Sequence, residues 1–234
     1  MELIRRTNFS FEKTLGEPVT GLAFNAFETD RIDPLALLLQ TGYLTIRSSF
    51  VDLGETLYRL DFPNREVKGA FETYLVSDYA AMPQEAVGAN VFRMVKAIRK
   101  RDVGLFMELL RTFFAAVPHD ISTGTEGRFQ LLFHSVFLLI GVKLEAECRT
   151  SDGRIDAVIP NGDHVYIFGV KVNQTPGIAL EQIREKEHFL KCRHSGRTLV
   201  LVGANYDTAT RRIDGWETET LPGENRDAGH ETAG

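Results

Sequence analysis

The chain is poor in cysteine: Cys148 and Cys192 are the two among its 234 residues. Two thiols exclude a disulfide framework and are expected to be reduced, as in a cytosolic protein. Cys192 and His194, in KCRHSG, have no partner at zinc spacing and read as surface residues. No apolar run approaches the roughly 20 residues of a membrane span. The opening MELIRRTNFS lacks the apolar stretch of a signal peptide, so a cytoplasmic location without a membrane partner is expected. Positive charge is not in excess either, with 27 Lys and Arg against 32 Asp and Glu. Any nucleic-acid contact must therefore come from a local basic patch. No GxxxxGK[ST] phosphate loop occurs, since GTEGRF and GLAFNAF do not fit, and ATP binding is not assigned. Ser122, Ser135 and Ser151 lie in no nucleophile elbow, which argues against a serine hydrolase. There is no internal repeat.

What remains is an ordinary globular composition, 43% hydrophobic and 25% charged, enough for one sizeable core or two modest ones. IDPLALLLQTG reads as a short helix, capped by Asp33, begun by Pro34 and stopped by Gly42. Strands follow at 43–49 and 56–62 around SFVDLGE. A helix and a two-stranded ribbon suggest a winged-helix-like segment, or more plainly a hairpin packed on helices. Next come three helices: 64–80, with Asn64 as N-cap and Val67, Phe71, Tyr74 and Leu75 on one stripe; about 83–101; and DVGLFMELLRTFFAAV up to Pro118. They read as a helical connector. TGTEGRFQLLFHSVFLLIG is an apolar helix ended by Gly141, with His134 a core residue.

Three strand-like runs come next, KLEAECRT, GRIDAVIP and HVYIFGVKV. Asp152-Gly153 and Asn161-Gly162 mark tight turns between them, giving an antiparallel meander. TPGIALEQIREKEHFLKC is an amphipathic helix with Ile178, Ile183 and Leu190 inward. TLVLVGANY is a last buried strand, joined by a right-handed crossover to a parallel neighbour. The expectation is a mixed α/β domain over 121–218, followed by a disordered polar tail.

The run HVYIFGVKV holds two exceptions, Gly169 and Lys171. Alternation puts Val165, Ile167, Gly169 and Lys171 on one face and Tyr166, Phe168, Val170 and Val172 on the other. Asp156 is the acidic residue of the preceding strand. Two readings stay open. Asp156 and Lys171 form a structural ion pair, which is a weak reason to keep buried charges; or Asp156 binds Mg²⁺ while Lys171 faces a phosphate or the attacking water. KAIRKR (96–101), with Arg93, is the densest basic run. It tracks a nucleic-acid backbone or is a solvated helix end favoured by the helix dipole.

The run from Thr123 to Trp216 resembles the PD-(D/E)XK nuclease superfamily, and most closely the branch joined to the C-terminal side of AAA-ATPase-like proteins. GRIDAVI, HVYIFGVKV, ALEQIREKEHF, LVLVGANYD and IDGW carry the resemblance. DPLALLLQTGYLTI and YRLDFPNREVKGAF resemble the segment that joins ATPase to nuclease. The resemblance implies a restriction-endonuclease-like helix–three-strand–helix–strand core, a Mg²⁺ (or Mn²⁺) cofactor, and nucleic acid as partner, DNA before RNA, with an ATPase domain as a second partner. It assigns residues 1–63 to a winged-helix-like remnant of an ATPase lid, 64–120 to a helical connector, 121–218 to the nuclease-like domain and 219–234 to the tail.

Roles follow by position. Asp156 matches the metal-binding aspartate and Lys171 the motif lysine. Gln182 matches a helix glutamine that faces the site. Glu126 lies where the first helix often carries an acid, and equally forms a T-x-x-E capping box with Thr123. His188 stands where relatives often have an aromatic. One departure is plain: the family reads E-x-K or D-x-K, and this chain reads Gly169-Val170-Lys171. The metal ligands left are Asp156, the Val170 carbonyl and an acid moved elsewhere, Glu126, Glu181 or Glu185. Activity is expected to be weak or lost. The alternative is a non-catalytic module that binds nucleic acid or a partner within a larger ATPase-linked protein.

Overall fold

The computed structural model describes residues 17–24, 34–117, 126–144, 149–151, 154–185, 192 and 195–223. They form a mixed α/β protein with six described helices and two sheets, divided between Phe71 and Glu72 into two compact units. In the first unit, β1 (Val19–Thr20), β2 (Thr45–Asp52) and β3 (Glu55–Asp61) make an antiparallel sheet of order β1-β3-β2. The helix α1 spans Pro34–Gln40 and a short 3-10 helix Gly21–Phe24. The loop expected at SFVDLGE shrinks to two residues. Leu53 and Gly54 both take positive φ (47° and 83°), so Asp52 pairs directly with Glu55 and the strands extend to the turn. Gly42 stops α1 in the left-handed region, at φ 78°. The expected cap, Asp33, lies outside the described residues.

Helix α2 (Arg65–Ala80) starts as expected, with Asn64 Oδ1 accepting from the Val67 N–H at 2.9 Å. Helices α3 (Gln84–Arg99), α4 (Val103–Ala115) and α5 (Glu126–Leu144) follow. Helix α5 does not end at Gly141: it continues to Leu144, so the strand expected at KLEAECRT is described over Arg149–Ser151 alone (β4). One glycine costs a helix about 1 kcal/mol, too little to stop one packed along its length. In the second unit β4, β5 (Arg154–Asn161), β6 (His164–Val172), β7 (Thr198–Asp207) and β8 (Arg212–Leu221) form a sheet in that order.

The meander and the parallel β6–β7 pair are present. The β5–β6 turn sits one residue later than expected. Asn161 pairs with His164, and Gly162, at φ 60°, takes the first central position of the turn. β8 was not foreseen as a strand. Its RIDGWETETL is polar because it is an edge strand, buried mainly through Ile213.

The sheet separates two apolar layers. Tyr166, Phe168 and Val170 join α3, α4 and α5 in one core through Phe106, Phe137 and Ile98. Phe168 lies 5.1 Å from both the Phe106 and Phe137 rings. Val165, Ile167, Leu199 and Leu201 pack on the other side against Leu180 and Ile183 of α6 (Pro176–Arg184). Ile178, expected inward, is 42% exposed, and Ala179 and Leu180 take the inward places with Ile183. Leu190 lies outside the described residues. Cys192 is half-buried against this second layer. No described helix is long and apolar enough to cross a membrane.

Candidate active site

Helix α6 lies on the groove between β6 and β7, and two glycines make the groove. Gly169 and Gly203 are register partners in the parallel pair. A Cβ at 169 would stand 2.9 Å from Ile183 Cγ1 and 3.3 Å from the Ala179 carbonyl oxygen. At 203 it would overlap the Pro176 carbonyl oxygen and stand 2.9 Å from the Leu180 amide nitrogen. A side chain at either place would lift the helix from the sheet. Gly169 therefore has a packing reason of its own, at the position that is acidic in the family the sequence resembles.

Asp156 is directly opposite Gly169 in the antiparallel register, so its position falls on the α6 face. Lys171 occupies the same face two residues on, half-buried, opposite Asn205 of β7. The Asp156 and Lys171 positions are thus diagonal neighbours on one face. Among the described side chains, which do not include that of Asp156, no carboxylate lies within ion-pair distance of the Lys171 ammonium.

Helix geometry places the remaining candidates. Pro176 and Leu180 cover Gly203 in β7, and Ala179 and Ile183 cover Gly169 in β6. Arg184 pairs with Glu219 of the edge strand β8. At about 100° per residue, Gln182 then falls on the opposite flank, turned toward β5 and the Asp156 position. It is half-buried. Glu181 and Glu185 are exposed and fall on the side of α6 turned away from the sheet. Glu126 opens α5, which packs on the other face. The stack of Phe129 on Tyr206, with ring centroids 3.6 Å apart, brings the start of that helix to the same end of the sheet as Lys171. The T-x-x-E capping box and His188 fall outside the described residues through Thr123 and His188. Val170 is buried and pairs with Ile155 on one side and Ala204 on the other. Its carbonyl offers a metal only the lone pair the ladder leaves.

A polar cluster beside Lys171 was missed in the sequence. Asn205 is 6% exposed, donates from Nδ2 to Asp214 Oδ1 at 2.8 Å, and accepts from the Gln174 N–H at 2.8 Å. Asp214 is the extra residue of a β-bulge, since Asn205 pairs with Gly215 and Tyr206 with Ile213. The signal was available: an amide inside the apolar run LVLVGANY needs partners. Asn205→Ala should lower stability by about 2 kcal/mol, because it leaves the Gln174 N–H unsatisfied; a shift of the urea midpoint measures it. At the end of β7, the Ala209 backbone N–H and then the Thr210 hydroxyl hold the Asp207 carboxyl below the usual range. The stabilisation from this turn is present above the ordinary carboxylate pKa and is lost as the pH falls through the lowered one.

Among the described residues, no three His, Cys, Asp or Glu side chains come together to hold a metal ion. Of the three expected metal ligands, Asp156 and the Val170 carbonyl belong to the adjacent strands β5 and β6 while Glu126 begins a helix on the other face of the sheet, a thin set for a cation that demands near-octahedral oxygen coordination.

The order of elements in the second unit is compatible with a restriction-endonuclease-like fold. Residues 124–216 match the family model of the PD-(D/E)XK nuclease superfamily. A curated relative, an uncharacterized protein in the vnfD 5' region of Azotobacter chroococcum mcd 1, is 32% identical over 209 residues, 86% of this chain and 40% of that protein. The chain thus spans two-fifths of that relative's length.

Proposed function

We propose that the nuclease-superfamily domain engages a nucleic-acid phosphodiester at the Lys171 end of the sheet and hydrolyses it slowly with Mg²⁺ or Mn²⁺. The observation that carries this reading is the Lys171 ammonium, half-buried and without a carboxylate partner among the described side chains, which do not include that of Asp156, on the same sheet face as the Asp156 position. A lysine kept for stability would be paired. One facing a phosphate needs its charge uncommitted.

In this reading Lys171 neutralises charge developing on the phosphate, which protein groups preorganised in a poorly hydrated site do effectively. Asn205, held by Asp214, fixes the turn after β6 and so the place of Lys171. Gln182 orients the substrate from the α6 flank. A divalent ion bound by Asp156 would polarise the phosphate and make water more acidic. The slow rate follows from Gly169, which leaves one carboxylate fewer in the ion's surroundings. An ATPase domain as partner belongs to the same proposal and rests on the resemblance of DPLALLLQTGYLTI and YRLDFPNREVKGAF alone.

The test incubates the protein, Lys171→Ala and Asp156→Ala with single- and double-stranded DNA in Mg²⁺ or Mn²⁺. Slow cleavage by the parent, reduced at least about 100-fold in both variants, is expected, as befits loss of a transition-state contact. Equal cleavage by all three proteins overturns the reading. Tight binding with no cleavage by the parent establishes the second reading, a non-catalytic module, which Gly169 favours.

A further inference from the structure

Helix α3 carries an unusual outer face. Residues 92–101 read FRMVKAIRKR, with five basic and no acidic side chains in a chain of net charge −5. Val87, Val91, Met94, Val95, Ala97 and Ile98 are buried, which fixes the arc turned to solvent. At about 100° per residue, Phe92, Arg93, Lys96, Arg99 and Lys100 fall within one third of the circumference. All five are exposed, and Phe92 is 68% exposed. The stripe is about 12 Å long. The helix dipole accounts for bases near the C-terminus, but not for an aromatic ring left in water among them.

The stripe is not part of the candidate active site. Asn161 Nδ2 donates to the Ile98 carbonyl at 2.9 Å, and Arg101 pairs with Asp163 at 2.6 Å. These contacts fix the end of α3 at the β5–β6 turn, beside the start of β6. Lys171 is at the other end of that strand, about 23 Å away, and α3 packs on the sheet face opposite α6.

We propose that this α3 face is a binding surface for single-stranded nucleic acid, in which Arg93, Lys96, Arg99 and Lys100 hold successive phosphates and Phe92 stacks on a base. Charge complementarity selects a polyanion. The exposed ring selects a single strand, whose bases are free to stack, over a duplex, whose bases are not. The surface needs no hydrolysis at Lys171, so its test stands apart from the nuclease reading.

The test measures fluorescence anisotropy of labelled 20-residue single-stranded DNA, single-stranded RNA and duplex DNA, with EDTA present so that nothing is cleaved. Single strands, of either sugar, should bind at least tenfold tighter than the duplex. Phe92→Ala should weaken single-strand binding about tenfold, as expected for loss of one stacked base, and leave the salt dependence unchanged. Arg93→Ala/Lys96→Ala should weaken it and reduce the log Kd against log salt slope by about 1.4, two phosphate contacts on a single strand. Lys96→Arg should retain binding. All of these residues are exposed, so folding is expected to survive, and circular dichroism checks it. The proposal is overturned if the parent binds no single strand, or if the alanine variants bind like the parent. It is equally overturned if duplex binds as tightly and Phe92→Ala is silent, or if Phe92→Ala merely abolishes self-association in sedimentation.

Discussion

Replacing Gly203 by alanine should destabilise the second unit by about 3 kcal/mol, the upper end of the range for overpacking a core. The added Cβ would overlap the Pro176 carbonyl oxygen and crowd the Leu180 amide nitrogen. Both are backbone atoms of α6 and cannot rotate aside, so the first turn of the helix must move from the sheet. For a chain of this size the melting temperature should fall by about 6–12 °C. The matched control is Gly88→Ala in α3, where a Cβ meets nothing within 4 Å; it should stabilise by about 0.5–1 kcal/mol. Calorimetry on the pair decides the matter. Equal effects would mean that the response reflects glycine content and not the seat of α6.

The second large effect concerns Gly169→Glu, which restores the usual family carboxylate. On motif reading alone it should raise activity. The packing predicts the reverse. The new side chain would start 2.9 Å from Ile183 Cγ1, in a buried position beneath α6, and a charge buried there without a partner costs several kcal/mol. We expect a loss of about 3 kcal/mol or more and no gain in cleavage. Ile183 is a side chain and is removable, unlike the backbone over Gly203. The double variant Gly169→Glu/Ile183→Ala should therefore recover part of the stability. A gain of Mn²⁺-dependent cleavage in the double variant would identify the missing acid as the limit on rate. A stable and active single variant would refute the view that Gly169 is there for α6.

These two glycines also show where sequence reading stops. Alternation in HVYIFGVKV sorted its residues correctly between the two layers, because a strand has a fixed period of two and both layers are apolar. The meander and the parallel β6–β7 pair were legible from turn dipeptides and from the apolar helix between strands. The turn itself slipped by one residue, since both Asn161 and Gly162 suit a turn and only pairing with His164 decides. β8 was hidden because an edge strand with one buried residue, Ile213, lacks an apolar pattern.

At the candidate site, the sequence by itself determined that an aspartate and a lysine occur on neighbouring strands, with a glutamine on the helix between strands. Register then put the Asp156 and Lys171 positions on one face, and helix rotation put Gln182 on the flank toward β5 while Glu181 and Glu185 turn away from the sheet. The Asn205–Asp214 pair is a product of tertiary structure alone, because a bulge in β8 brings Asp214 to the amide. The reason for Gly169 belongs there too. A missing side chain carries no signal of what occupies its space, and only the path of α6 across the sheet shows that the space is filled.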